Sequence, residues 1–143
     1  MNEIEAVWFA CALDCEGSII FQPATRLRKG TTRLIIYNTN IPFLKKVADI
    51  AGVGKILTYP SRNLFPGRRV KSKRTNWYWQ TNRRPECYAI LKQILPYLII
   101  KKDIAYQLIL FHELRGKRNN QSYNEAEWTI LKGEYTNALK GEI

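Results

Sequence analysis

Acidic residues are scarce in this chain: 12 stand against 23 lysines and arginines over 143 residues, a formal net charge of +11. Histidine is scarcer still, with His112 the only one, which excludes a metal centre or triad built on several imidazoles. The three cysteines, Cys11, Cys15 and Cys87, are an odd number at no zinc-site spacing. They read as small apolar side chains rather than as disulfides or ligands. No apolar run reaches the roughly 18–20 residues that cross a bilayer, so no membrane partner is expected. The start, Met1-Asn2-Glu3-Ile4-Glu5, is acidic and unlike a secretory signal. The expected location is the cytoplasm, or the organelle or nucleoid that holds a nucleic-acid target, with no targeting signal seen.

What is abundant is apolar and basic. Hydrophobic residues make up 45% of the chain with dispersed charge, which suits one folded domain over residues 1–143. Its core is expected at about 3–114, with a helical extension over 115–143. From Ser61 to Thr75 stand Arg62, Arg68, Arg69, Lys71, Lys73 and Arg74 with no acid between them. Such a field attracts polyanions and speeds their capture, so nucleic acid is the natural partner.

The pattern of caps and periodicities predicts the order of elements. Asn2 with Glu5 forms a capping box for a helix to about Asp14. Strands follow at Ser18–Leu27 and Thr31–Thr39, joined by a turn at Lys29-Gly30. Asn40 caps a second helix that Gly52-Val53-Gly54 ends. Lys55–Tyr59 and the aromatic Asn76–Thr81 are two more strands. Further helices are expected at Pro85–Leu95, where Pro96 breaks the pattern, at Ile100–Leu114, and from Asn124 to about Leu139. The order is two αββ units followed by helices, without a convincing repeat in sequence.

Strand alternation sorts the side chains into faces. Gln22, Arg26 and Arg28 share one face of the first strand, opposite Ile19 and Phe21. Arg33 continues that polar side on the second strand while Leu34 and Ile36 turn inward. Asn76, Tyr78 and Gln80 oppose Trp77 and Trp79 on the fourth. Arginine can bridge guanine O6 and N7, and Gln or Asn can pair with adenine N6 and N7, so this face suits base edges in the major groove. The basic loop residues suit phosphates, which set register without reading sequence.

The stretch Phe9-Ala10-Cys11-Ala12-Leu13-Asp14-Cys15-Glu16-Gly17 carries the most information. It is a small-residue helix ending in acids and a glycine, running straight into the strand that begins at Ser18. It resembles the LAGLIDADG motif of homing endonucleases, where these positions hold Leu, Ala, Gly, Leu, Ile, Asp, Ala, Asp and Gly. Phe43-Leu44-Lys45-Lys46-Val47 through Gly52-Val53-Gly54 is similar to the family's second helix and turn. Ile94-Leu95-Pro96-Tyr97-Leu98-Ile99-Ile100-Lys101-Lys102 resembles the segment before its long fourth helix. The resemblance covers roughly residues 5 to 112.

The resemblance implies an α+β fold, αββαββα, whose four-stranded antiparallel sheet forms a saddle over double-stranded DNA, with an extra C-terminal helix. It implies a site-specific, metal-dependent endonuclease making staggered double-strand breaks with 3′ overhangs. Glu16 stands at the position of the metal-binding carboxylate, where Asp is commoner, and the backbone carbonyl of Cys15 at that of an added ligand. Asp14 is read chiefly as closing the helix end and secondarily as touching the metal. Lys101 matches the family's basic residue near the site, and Asn38 its water-holding amide. Mg²⁺ is the implied ion, with Mn²⁺ substituting and Ca²⁺ supporting binding without cleavage. One motif per chain implies a homodimer through the first helix, with Ala6, Ala10 and Cys11 as its seam and a near-palindromic target. A maturase acting on intron RNA, and an inert DNA-binding regulator on the same fold, are the alternatives.

Overall fold

The computed structural model describes residues 1–22, 30–59, 76–116 and 122–131. Helix α1 (Glu3–Glu16) leads into strands β1 (Gly17–Gln22) and β2 (Thr31–Asn38). Helix α2 (Ile41–Ala51) leads into β3 (Lys55–Tyr59) and β4 (Asn76–Thr81). Helix α3 (Arg84–Ile94), a 3-10 turn (Leu95–Tyr97), α4 (Lys102–Arg115) and α5 (Glu125–Leu131) complete the order. The strands form one four-stranded sheet in the order β1-β2-β4-β3, every pair antiparallel. Each αββ unit contributes an outer and a central strand. The architecture is the expected αββαββα saddle with a C-terminal helix.

Local chemistry accounts for the boundaries. Asn2 accepts the Glu5 amide at 2.8 Å while the Glu5 carboxylate accepts the Asn2 amide at 2.9 Å, the reciprocal pair of a capping box. Asn40 Oδ1 accepts from Phe43 at the start of α2, and Gly52 closes that helix at φ 67. Helix α1 runs to Glu16, one half-turn beyond the expected Asp14, and Gly17 ends it. Gly17 is required for room rather than conformation. A Cβ there would lie 2.7 Å from Leu13 Cδ1 and 2.8 Å from the Ile35 carbonyl oxygen. Helix α4 starts at Lys102 rather than Ile100, because the amides of residues 99–101 are held elsewhere.

The core lies between the helices and one sheet face. Ile19, Leu34, Ile36 and Trp79 meet Phe9, Leu13, Leu44, Leu91 and Leu108 there, all buried. The Trp79 ring meets Phe9 edge-on at 5.6 Å, and its Nε1 donates to the Val53 carbonyl at 3.0 Å, so its one polar atom is satisfied. Beyond the core, α5 docks on α4 through a buried ion pair, Arg115 to Glu127 at 2.8 Å. The Arg115 guanidinium also lies 4.6 Å from the Tyr123 ring centroid. The expected last helix is described to Leu131, and its continuation towards Leu139 lies outside the described residues.

Two charges taken out of water must keep each other, and removing one strands its partner. Replacing Glu127 with Leu is expected to cost about 3–5 kcal/mol in chemical denaturation. Arg115→Met combined with Glu127→Leu is expected to recover most of that loss.

Candidate functional site at the rim of the open sheet face

The site is organised by the C-terminal turn of α1. Asp14 is buried, and its carboxylate accepts three main-chain amides from the segment before α4: Ile99 at 2.7 Å, Ile100 at 3.3 Å and Lys101 at 2.9 Å. Lys101 answers by donating from Nζ to the Asp14 carbonyl at 2.5 Å. A cation on an unpaired carbonyl at a helix C-terminus is favourable in both hydrogen bonding and dipole. Asp14 and Lys101, read from sequence as helix closure and site base, thus clamp two elements together. With both Asp14 oxygens engaged by amides, the carboxylate has a structural duty whether or not it also touches a metal.

Past the clamp, Glu16 is exposed at the last helical position. It lines an open pocket of about 340 Å³ with Tyr37, Asn38, Thr39, Asn76 and Trp77. Asn38 is therefore beside Glu16, although its Oδ1 accepts the Asn40 amide at 2.8 Å in the turn into α2. Among the described residues, no group of three His, Cys, Asp or Glu side chains converges to hold a metal. One chain supplies one exposed carboxylate here, which fits a single anionic ligand position of a Mg²⁺ ion rather than a whole set. Cys15, one residue before, is also exposed. Its charge coupling and hydrogen bond with Cys11, then Asp14 and Glu16, push its thiol above the ordinary value. Cys87 is the opposite case, a buried thiol pushed up to about 12 by desolvation and chemically inert.

The sheet face away from the helices carries the expected polar set. Gln22 is exposed, while Arg33, Asn76, Tyr78 and Gln80 are half-buried. Arg33 Nε and Gln80 Oε1 are shielded from solvent and have no hydrogen-bond partner among the described residues. Each such group costs about 1–3 kcal/mol, and native structures keep few of them without a reason. The register also puts Ile20 opposite Arg33, Ile35 opposite Gln80 and Leu57 opposite Tyr78, so the face is mixed rather than uniformly polar. Ile35 is only 2% exposed because β2 is a central strand flanked on both sides. Arg26, Arg28, Arg62, Arg68, Arg69, Lys71, Lys73 and Arg74 lie outside the described residues.

The expected dimer seam needs correcting. Ala6 and Ala10 are buried in the chain's own core, at 4% and 0% exposure, so their side chains face no partner. The outer face of α1 is instead Ile4, Val7, Cys11 and Cys15. These recur at helical spacing along one stripe, and Cys11 is the one residue shared with the expected set. Near the end of the same helix, Ile99 and Ile100 are exposed beside the Asp14 clamp. Tyr37 was not singled out from the sequence. It lies directly after Leu34-Ile35-Ile36, and a run with no alternation hides which face the next side chain takes.

An αββαββα saddle with one acidic helix end at its rim is the class these features define. That is the fold of the LAGLIDADG homing endonucleases. The chain resembles the homing endonuclease I-CvuI, solved in complex with its target in the presence of calcium, at a TM-score of 0.60. Identity there is 19% over 77% of this chain and 66% of that one. It resembles the LAGLIDADG meganuclease I-AabMI bound to uncleaved DNA at a TM-score of 0.60, with 20% identity over 87% of this chain and 42% of that one. The group I intron-encoded homing endonuclease I-CeuI complexed with DNA also matches at 0.60, with 10% identity over 79% and 56%. The chain thus spans less than two thirds of the length of each. No protein-family model matches the sequence, and no curated protein matches it.

The clamp predicts a stability effect separable from chemistry. Asp14→Ala is expected to cost about 3 kcal/mol, the order of a few lost charge-assisted hydrogen bonds. Asp14→Asn should cost less, since one oxygen still accepts. Urea denaturation measures the loss, and faster amide hydrogen exchange at Ile99 and Lys101 localises it.

Proposed function

We propose that this chain is a single-motif LAGLIDADG endonuclease that cuts double-stranded DNA at a long, near-palindromic site as a homodimer. The observation that carries the reading is one juxtaposition. The exposed carboxylate of Glu16 stands at the rim of an open sheet face that holds polar atoms of Arg33 and Gln80 with no partner among the described residues. The net charge of +11 supplies the general attraction for a polyanion. Arg33 and Gln80, with Gln22, Asn76 and Tyr78, read base edges. Arg26, Arg28 and the basic stretch from Arg62 to Arg74 hold phosphates.

At the reacting end, Glu16 and the Cys15 carbonyl would be the ligands this chain offers to Mg²⁺. Asp14 positions them through its clamp rather than by direct ligation. When bound, the ion supplies a Lewis acid that activates water and stabilises charge on the attacking and leaving oxygens. Lys101 fixes the helix terminus, and its ammonium, a three-proton donor, can also face solvent or phosphate. Asn38 orients water in the pocket beside Glu16. Mn²⁺ substitutes for Mg²⁺, while Ca²⁺ supports binding alone. Cuts across the minor groove leave short 3′ overhangs.

A single carboxylate per chain leaves two-strand cleavage incomplete without a second copy. Helix α1 is apolar nearly all round, the character of a helix covered on both sides. Its inner side meets the core; Ile4, Val7, Cys11 and Cys15 are left for a partner helix, which brings two Glu16 carboxylates together by two-fold symmetry.

The decisive substrate is the locus that encodes the chain, with the inserted element deleted. In Mg²⁺ a staggered break at the junction is expected, reduced at least about 100-fold in Glu16→Gln with duplex binding retained. Undiminished cleavage by that variant overturns the active-site assignment. Binding without cleavage by the wild-type chain points to an inert regulator, and neither result points to intron RNA.

The seam makes its own prediction. Mild oxidation at alkaline pH, where the raised Cys15 thiol ionises, should give a reducible covalent dimer. Cys11→Ser with Cys15→Ser should abolish it, and Val7→Arg should shift sedimentation towards monomer. A cross-linked yield unchanged by the double serine variant rules out this seam.

A further inference from the structure

The sheet register places Glu16 in a row of its own. Because Gly17 pairs with Ile36 and Ser18 with Ile35, Glu16 precedes β1 at the level of Tyr37. Tyr37 pairs in turn with Tyr78, and Tyr78 with Leu57. The open face therefore continues from the carboxylate into an aromatic and apolar ridge whose polar side-chain atoms are the two tyrosine hydroxyls. Tyr37 is 43% exposed, among the large hydrophobic side chains the fold leaves open, and its ring lies 5.8 Å from that of Tyr78. It also lines the pocket that holds Glu16. The base-reading candidates Arg33 and Gln80 sit in the next rows away from the carboxylate.

We propose that Tyr37, backed by Tyr78, is a specificity-determining wedge that presses on the duplex at the base steps beside the scissile phosphate. The inference rests on the endonuclease reading and deepens it, naming what selects the sequence next to the cut. A ring flat against base and sugar edges gains by packing and needs room, so it favours steps that deform at low cost. Pyrimidine–purine steps are of that kind, and A-tracts are not. Discrimination at these positions then comes from deformability, while Arg33 and Gln80 discriminate farther out by hydrogen bonding. The ring is a sound wedge because Tyr78 packs beside it across the strand pair. The basic charge of the chain calls for a polyanion, and the endonuclease reading makes that occupant duplex DNA.

The test is a binding selection from a randomised DNA duplex library in Ca²⁺, so that no cleavage is needed. The wild-type chain, Tyr37→Phe and Tyr37→Ser are compared. Wild type and Tyr37→Phe should enrich flexible steps at the centre of the selected sites. Tyr37→Ser should lose that enrichment by about tenfold, an effect of roughly 1.4 kcal/mol, while keeping the flanking preferences. The bend of a selected duplex, read by end-to-end energy transfer, should fall with it. An unchanged central preference in Tyr37→Ser overturns the wedge, as does a preference that vanishes when uracil replaces thymine, which marks a methyl contact. Cleavage in Mg²⁺ that depends on Glu16 but not on Tyr37 leaves the endonuclease standing without the wedge. A Tyr37-dependent central preference without any cleavage leaves the wedge standing without the endonuclease. Absence of duplex binding overturns both.

Discussion

The carboxylate of Asp14 is the constraint on which the rest of this structure depends. It gathers three main-chain amides from a segment more than eighty residues away, and Lys101 closes the loop onto the Asp14 carbonyl. That exchange fixes where α1 ends, where α4 begins and how the two meet. It also sets the direction in which the chain leaves the helix. Gly17 can then enter β1 with no side chain between Leu13 and the Ile35 carbonyl. Glu16 follows two residues past the clamp, so its backbone is placed by it while its side chain stays exposed.

The same helix divides the molecule's tasks. Its inner side, from Ala6 through Leu13, belongs to the core with Trp79 and Leu34. Its outer stripe of Ile4, Val7, Cys11 and Cys15 is apolar and exposed. The open sheet face shows a parallel tension. Burying Arg33 Nε and Gln80 Oε1 without partners lowers stability, and such groups regain their bonds when a ligand brings complementary atoms. The buried Arg115–Glu127 ion pair, at 2.8 Å, serves to dock α5.

Much of this was legible in the chain itself. The capping box at Asn2, the Asn40 cap, the glycine stops and the alternation of Trp77 to Gln80 located the elements because those signals are local. Helix α4 was placed two residues early, since its start is decided by Asp14 rather than by its own sequence. Ala6 and Ala10, expected at a dimer seam, lie in the core for a related reason. Ala6 and Ala10 do stack on one side of α1, but small residues suit a tight core as well as a tight dimer. Only the packing of the sheet against that side shows which applies. Tyr37 escaped notice because the preceding Leu34-Ile35-Ile36 run carries no alternation.

The sequence by itself determined the order of elements, the single acidic helix end and the basic character that calls for a polyanion. These follow from propensity, spacing and charge, which need no knowledge of distant neighbours. The tertiary structure alone decided that Asp14 is a clamp, that α1 turns Val7 and Cys11 outward, and that Glu16 shares a row with Tyr37 and Tyr78. Each of those facts is a relation between residues far apart in the chain. Sheet register and buried hydrogen bonds set such relations, and neither is encoded in any one segment.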